Sequence, residues 1–156
     1  MKVSIQGIKG SFHHMVAANY FSSFELNECS TFDKLVKSII DKDSEYGVMA
    51  IENSIAGSIL PNYALIDKYN LSITGEYSLS IDHNLMCIPG QGIEDIEEVH
   101  SHPMALLQCT KFFTAYPQIK LIESEDTASF AKKIRENKIN GVAAIASKEA
   151  ADIYDL

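Results

Sequence analysis

The chain of 156 residues is 46% apolar and 22% charged, with 8 glycines and 4 prolines. That balance excludes an intrinsically disordered chain, and at this length about two-thirds of the surface can be buried in one or two small lobes. The 13 Lys and Arg against 21 Asp and Glu leave a formal charge of -8, with Arg135 the only arginine, so there is no basic stripe to displace counterions from nucleic acid or an anionic membrane. Cys29, Cys87 and Cys109 form no CxxC pair and make an odd count, the usage of small buried hydrophobes in a reducing compartment rather than of a zinc knuckle or disulfide framework. The N-terminus enters a strand pattern at once and the run Val142 to Ala146 is too short to span a bilayer, so a cytoplasmic location is expected.

In chain order, Val3 to Gln6 reads as a strand, Gly7-Ile8-Lys9-Gly10 as a tight loop, and Ser11 to Phe21 as a helix with Ser11 at the N-cap position. Phe24 to Cys29 forms a second strand, and Thr31 to Ile40 spaces its apolar residues along one helical face. Tyr46 to Ile51 is a near-continuous apolar run, the pattern of a strand covered on both faces. Ile55 to Tyr69 carries a helical pattern that Pro61 should kink or split. Leu71 to Cys87 is β-rich and broken by Gly75, and is expected to form one or two strands that leave the first lobe for a second. The second set comprises a short strand near Val99, a helix from Pro103 to Ala115, a strand from Ile119 to Ile122, a helix from Thr127 to Glu136, a strand from Val142 to Ala146, and a helix beginning at Ser147. Alternating strands and helices imply an α/β fold of two lobes, a first over residues 1–76 and a second over 77–156, with a cleft between them.

Ligands of open α/β sheets bind beyond the carboxyl ends of the strands, where helix N-termini present backbone N–H groups. The junctions there read Gly10-Ser11, Glu52-Asn53-Ser54, Ser101-His102-Pro103, Asp126-Thr127 and Ser147. Any one of them is explained by helix capping. As a set, rich in neutral donors, they suit a small anionic ligand, and a carboxylate rather than a nucleotide phosphate, because the glycines follow neither GxGxxG nor GxxxxGK[ST]. His100 and His102 lie two apart, as a metal pair on a strand would, but no matching ligand cluster accompanies them and Pro103 ends the strand. No metal is expected. Serine-nucleophile chemistry lacks a GxSxG elbow.

The segments Gly7-Ile8-Lys9-Gly10-Ser11-Phe12, Ala50-Ile51-Glu52-Asn53-Ser54, Ile81-Asp82-His83-Asn84-Leu85, Ser101-His102-Pro103-Met104-Ala105-Leu106-Leu107-Gln108-Cys109, Asp126-Thr127-Ala128 and Ala144-Ile145-Ala146-Ser147 occur in the order seen in prephenate dehydratases, and the chain resembles that family over essentially its whole length. The resemblance implies two α/β lobes similar to the type II periplasmic-binding-protein fold. It also implies a cofactor-free lyase that converts prephenate to phenylpyruvate in L-phenylalanine biosynthesis. By resemblance Asn53 and Gln108 orient substrate and leaving oxygen, with Glu52 organising them, while Ser54, Ser11, Thr127, His102, Gly10 and Ser101 contribute to substrate binding. Gln108 is preferred over Cys109 because an amide donates to an anion where a thiol does so weakly.

The chain departs from the family pattern in several places. Ala50 stands where proline is usual, Met104 where glutamine is usual, and His13 where a small hydroxyl residue is usual. The family continues into an Asn-x-Thr-Arg-Phe motif, which supplies a threonine and an arginine, and commonly into an ACT domain. The chain reads as a truncated form ending before both, its first lobe lacking a return segment, so that association between identical chains is expected from the exposed sheet edge. Phenylalanine would be an effector only if an ACT domain follows in the intact protein. The alternative from a different class is a non-catalytic cytosolic binding module for a small aromatic or cyclic carboxylate.

Overall fold

The computed structural model describes residues 1–124 and 126–156. They divide into two compact units, one of Met1–Ile8 with Phe12–Leu79 and one of Lys9–Ser11 with Ser80–Leu156.

In the first unit β1 (Lys2–Gln6), α1 (Phe12–Tyr20), β2 (Glu25–Cys29), α2 (Phe32–Ile40) and β3 (Tyr46–Val48) build a parallel sheet in the order β2-β1-β3. β1 is central because its alternation buries both faces. Val3 and Ile5 pack with Ala17, Phe21, Phe24, Leu26 and Val48, whereas the hydroxyl of Ser4 meets Ser38 (2.7 Å), Ser44 (2.8 Å) and the Asn27 amide (2.8 Å). A buried polar group costs stability unless it is paired, and this closed Ser-Asn network supplies the pairing. α2 starts where Thr31 Oγ1 accepts from Lys34 N at 3.2 Å, and it sets Leu35, Val36 and Ile39 against Cys29 and Met49.

Three expectations change here. The run Tyr46–Ile51 is a strand only to Val48, and it lies at the sheet edge with Tyr46 exposed rather than covered on both faces. α2 packs so closely on Gly47 that a Cβ there would lie 2.7 Å from Leu35 Cδ2 and 2.8 Å from Ile39 Cδ1. The helix expected from Ile55 is preceded by a short antiparallel pair, β4 (Glu52–Asn53) with β5 (Gly57–Ser58). Accordingly α3 (Leu60–Lys68) begins next to Pro61, which occupies the first turn, where its missing N–H costs nothing, and no kink arises. Residues 71–83 form no strand, and only Asn84–Met86 of the β-rich stretch does. At Gly75 the Tyr20 hydroxyl occupies the space a Cβ would need, so this glycine serves a close approach and not a strand break.

The second unit contains β6 (Asn84–Met86), a 3-10 turn (Ile93–Asp95), β7 (Glu98–Ser101), α4 (Pro103–Phe113), β8 (Lys120–Glu123), α5 (Thr127–Asn137), β9 (Val142–Ala146) and α6 (Lys148–Tyr154). The sheet order is β6-β9-β7-β8, with β6 antiparallel to β9 and the other pairs parallel. Val99, Leu106, Phe113, Ile119 and Ile145 form its core. The small side chains of Ala143, Ala144 and Ala146 are fully buried along β9, as are Ala128, Ala131 and Ile134 of α5, which lets helix and strand approach closely.

Lys9–Ser11 belong to this second unit through α6. Ser147 Oγ donates to Gly10 O at 2.6 Å, and Tyr154 OH donates to Lys9 O at 2.8 Å. Gly10 has φ +90°, and a Cβ there would lie 3.1 Å from the Ala150 Cα. Gly10→Ala is therefore expected to lower unfolding free energy by about 1–3 kcal/mol, from strained backbone and a contact with main chain that cannot swing away; an unchanged denaturation midpoint would contradict this.

Candidate functional site

In the first unit the candidate groups sit on the β4-β5 pair. Asn53 turns its side chain back on its own chain, and Oδ1 accepts from Ile55 N at 2.9 Å and Ala56 N at 3.0 Å. This Asx turn occupies the carbonyl end of the amide and leaves Nδ2 as its donating end. Ser54 is exposed within the same turn. Glu52, expected to organise the amides, takes the Tyr63 hydroxyl at 3.3 Å and the Ser58 hydroxyl at 3.5 Å on Oε1. Partial desolvation, then the Glu52 charge and this hydrogen bond, push the Tyr63 phenol above its ordinary value. Tyr63 lies eleven residues from Glu52, and no sequence pattern signals the contact.

His13 on α1 accepts from Ala50 N through Nε2 at 3.3 Å and meets Phe32 edge-on at 5.4 Å. Burial lowers its imidazole from 6.5 to about 4, opposed in part by a hydrogen bond with the Gln6 backbone. His14, next along the helix, is buried and packs towards Phe24.

In the second unit Gln108 lies on α4, with Oε1 2.9 Å from His83 Nε2. With the proton on Nε2, His83 donates to that oxygen and leaves the Gln108 Nε2 amide to donate elsewhere. His83 was not among the expected site residues, although the Ile-Asp-His-Asn-Leu segment that contains it is one of those that carry the family resemblance; only folding brings it to Gln108, 25 residues away. Cys109 packs against the apolar core instead, and burial raises its thiol.

The remaining candidates divide by how far the backbone claims them. Ser101 is fully buried, and its hydroxyl donates to Ile145 O at 2.6 Å. His102 caps α4, with Nδ1 accepting from Met104 N at 3.2 Å. Gly10 and Ser11 are both buried, Gly10 held by Ser147. At the start of α5 the cap comes from Asp126, whose Oδ1 accepts from Ala128 N (2.8 Å) and Ser129 N (2.6 Å), so Thr127 need not cap its own helix. His100 does not join His102 in a metal pair. It stacks on Phe130 at 3.7 Å with its Nε2 3.5 Å from Glu98, and no group of three or more metal-ligating side chains occurs among the described residues. Nor does any helix among them have the length and apolarity to cross a membrane.

Comparison with known proteins assigns the chain. The family model for prephenate dehydratase matches residues 3–156. A bifunctional chorismate mutase/prephenate dehydratase of Buchnera aphidicola is 36% identical over 98% of this chain and 41% of its own length. An Arabidopsis thaliana chloroplastic arogenate dehydratase/prephenate dehydratase is 36% identical over 100% and 41%. The chain thus spans about two-fifths of the length of these curated relatives. Among solved structures, the prephenate dehydratase of Staphylococcus aureus aligns at TM-score 0.78 and 29% identity over 99% of this chain and 57% of that one. GqqA, described as a quorum quenching acylase, aligns at 0.86 and 28% over 99% and 56%. These likenesses place the two units in the α/β class of periplasmic-binding-protein-like folds.

Two outcomes test this local chemistry. As pH falls below about 6.5 an unfolded chain protonates His13, while the folded chain resists until about 4; stability is therefore complete above the window and lost on acidification through it, by at most roughly 3 kcal/mol. Denaturation of wild type at pH 7 and pH 5 should show a larger loss than His13→Gln, and equal losses would refute it. Asp126→Ala, which removes the α5 cap, should cost about 0.5–2 kcal/mol by the same measurement. From its family-model match and the identity of its relatives along the entire sequence, the chain belongs to the prephenate dehydratase family.

Proposed function

We propose that the protein acts in L-phenylalanine biosynthesis by converting prephenate to phenylpyruvate, with loss of carbon dioxide and water. The observation that carries this reading is the state of its two candidate amides. Asn53 has its carbonyl oxygen held by two backbone N–H groups, and Gln108 has its own 2.9 Å from His83 Nε2, which donates to it in the Nε2–H tautomer, so each is left with N–H donors to offer. Uncharged donors held in place suit an anion whose charge moves during reaction, since they need no reorganisation as it does so.

Prephenate carries a ring carboxylate and a pyruvyl carboxylate on one carbon and a hydroxyl on the opposite ring carbon. Cleavage of the ring carbon–carboxylate bond sends its electron pair into the ring, and the hydroxyl departs as water with one proton drawn from solvent, the amides orienting the oxygen without supplying that proton. Formation of the aromatic ring drives the step. The protein's task is to hold the dianion, supply donors to the departing oxygen and let the ring carboxylate shed water. In this reading Asn53 and Gln108 orient the substrate and the leaving oxygen, Ser54 and Thr127 add hydroxyls, and Glu52 is steadied by Tyr63. Ser101, His102, Gly10 and Ser11 contribute by shaping backbone. Arg135, the one arginine of the chain, pairs with Asp155. A cytoplasmic location fits the three free cysteines. Association of identical chains and, where an ACT domain follows, phenylalanine as effector belong to the same proposal, as does the boundary between a first lobe at residues 1–76 and a second at 77–156.

Incubation of this chain with prephenate should yield phenylpyruvate. Asn53→Ala and Gln108→Leu should each lower kcat/KM by about 10²–10³ without unfolding the protein. Prephenate binding without turnover would support a binding module instead. Release of an acyl chain from an acylated amide, with no phenylpyruvate formed, would align the protein with GqqA.

A further inference from the structure

After Val48 the chain reaches Glu52 through Met49, Ala50 and Ile51, which belong to no strand. A peptide in such a link must satisfy its N–H and C=O outside a ladder. At Ala50 side chains do both: the N–H donates to His13 Nε2 at 3.3 Å, and the carbonyl accepts from Asn62 Nδ2 at 2.7 Å. One residue later, Ile51 O accepts from Ile59 N at 2.8 Å. His13 stands on α1 and Asn62 on α3, so one peptide is tied to two helices. Asn62 is only 2% exposed, a burial that an amide tolerates only when bonded. The imidazole is itself fixed by its hydrogen bond with the Gln6 backbone and its contact with Phe32.

Sequence and geometry meet at this contact. Ala50 supplies an N–H that a proline at this position would lack. His13 supplies the ring nitrogen that reaches this N–H. The two residues are the two halves of one hydrogen bond. We propose that His13 and Asn62 are positioning residues: they clamp the Ala50 peptide and thereby fix the course of the Glu52-Asn53-Ser54 turn, whose interior Asn53 then locks through its own Asx bonds. The functional side of this role rests on the assignment of Asn53 to the substrate.

The test combines amide hydrogen exchange with prephenate affinity, both on the 156-residue chain. His13→Ala should speed exchange about tenfold or more at Ala50 and through residues 52–56, leaving β1 and the second unit as in wild type, and His13→Gln, which retains an acceptor, should restore protection. Asn62→Ala should act on the same amides from the carbonyl side. Prephenate binding should weaken about tenfold in His13→Ala, yet less than about twofold when the same change is made in an Ala50→Pro background, where no N–H is left unpaired. Unchanged exchange at Ala50 in His13→Ala would overturn the clamp, as would an equal loss of affinity in both backgrounds. A wild-type chain that binds no prephenate would instead defeat the substrate assignment, while the exchange pattern would still decide whether the clamp exists.

Discussion

The constraint on which both units depend is the need to satisfy backbone N–H and C=O groups where strands end and helices or turns begin. In an α/β fold these junctions are also where ligands are met, so each polar side chain there serves either the chain itself or something outside it. His102, Asp126 and Ser147 cap helices, and Ser101 binds a neighbouring strand's carbonyl. With these committed, the candidates among the described residues that keep donors to offer include the amide nitrogens of Asn53 and Gln108 and the hydroxyls of Ser54 and Thr127, while Glu52 already takes the Tyr63 and Ser58 hydroxyls.

Commitment of one end of a group can also prepare the other. The Asx turn at Asn53 and the His83 contact at Gln108 both occupy a carbonyl oxygen and so give an otherwise ambivalent amide a defined sense. A freely rotating amide would offer an anion its oxygen as readily as its nitrogen, and would lose conformational entropy on binding. In a chain of net charge -8, whose one arginine is paired with Asp155, the donors that each unit has to offer are in this way largely neutral.

The same economy explains the link before Glu52. A longer β3 would have satisfied Ala50 within the sheet, but the strand stops at Val48. Helix side chains take over the pairing, which couples the packing of α1 and α3 to a segment that carries candidate chemistry. His13 can do this only as the neutral imidazole, and burial keeps it so near neutral pH.

Much was legible in the amino-acid sequence. Val142–Ala146 as a strand, the helix starts at Pro103, Thr127 and Ser147, and the α/β class all follow from local periodicity and capping chemistry, which depend on residues a few positions apart. The motifs that carry the family likeness were equally visible, because they are contiguous. Tertiary structure alone decided that Tyr46–Val48 is an edge strand, that residues 71–83 form no strand, that Lys9–Ser11 join α6, and that His83, Tyr63 and His13 find Gln108, Glu52 and Ala50. An apolar run reads alike at the centre and edge of a sheet, and a hydrogen bond between residues 11 to 37 positions apart has no local signature. Such partners are chosen by packing, which the whole chain determines at once.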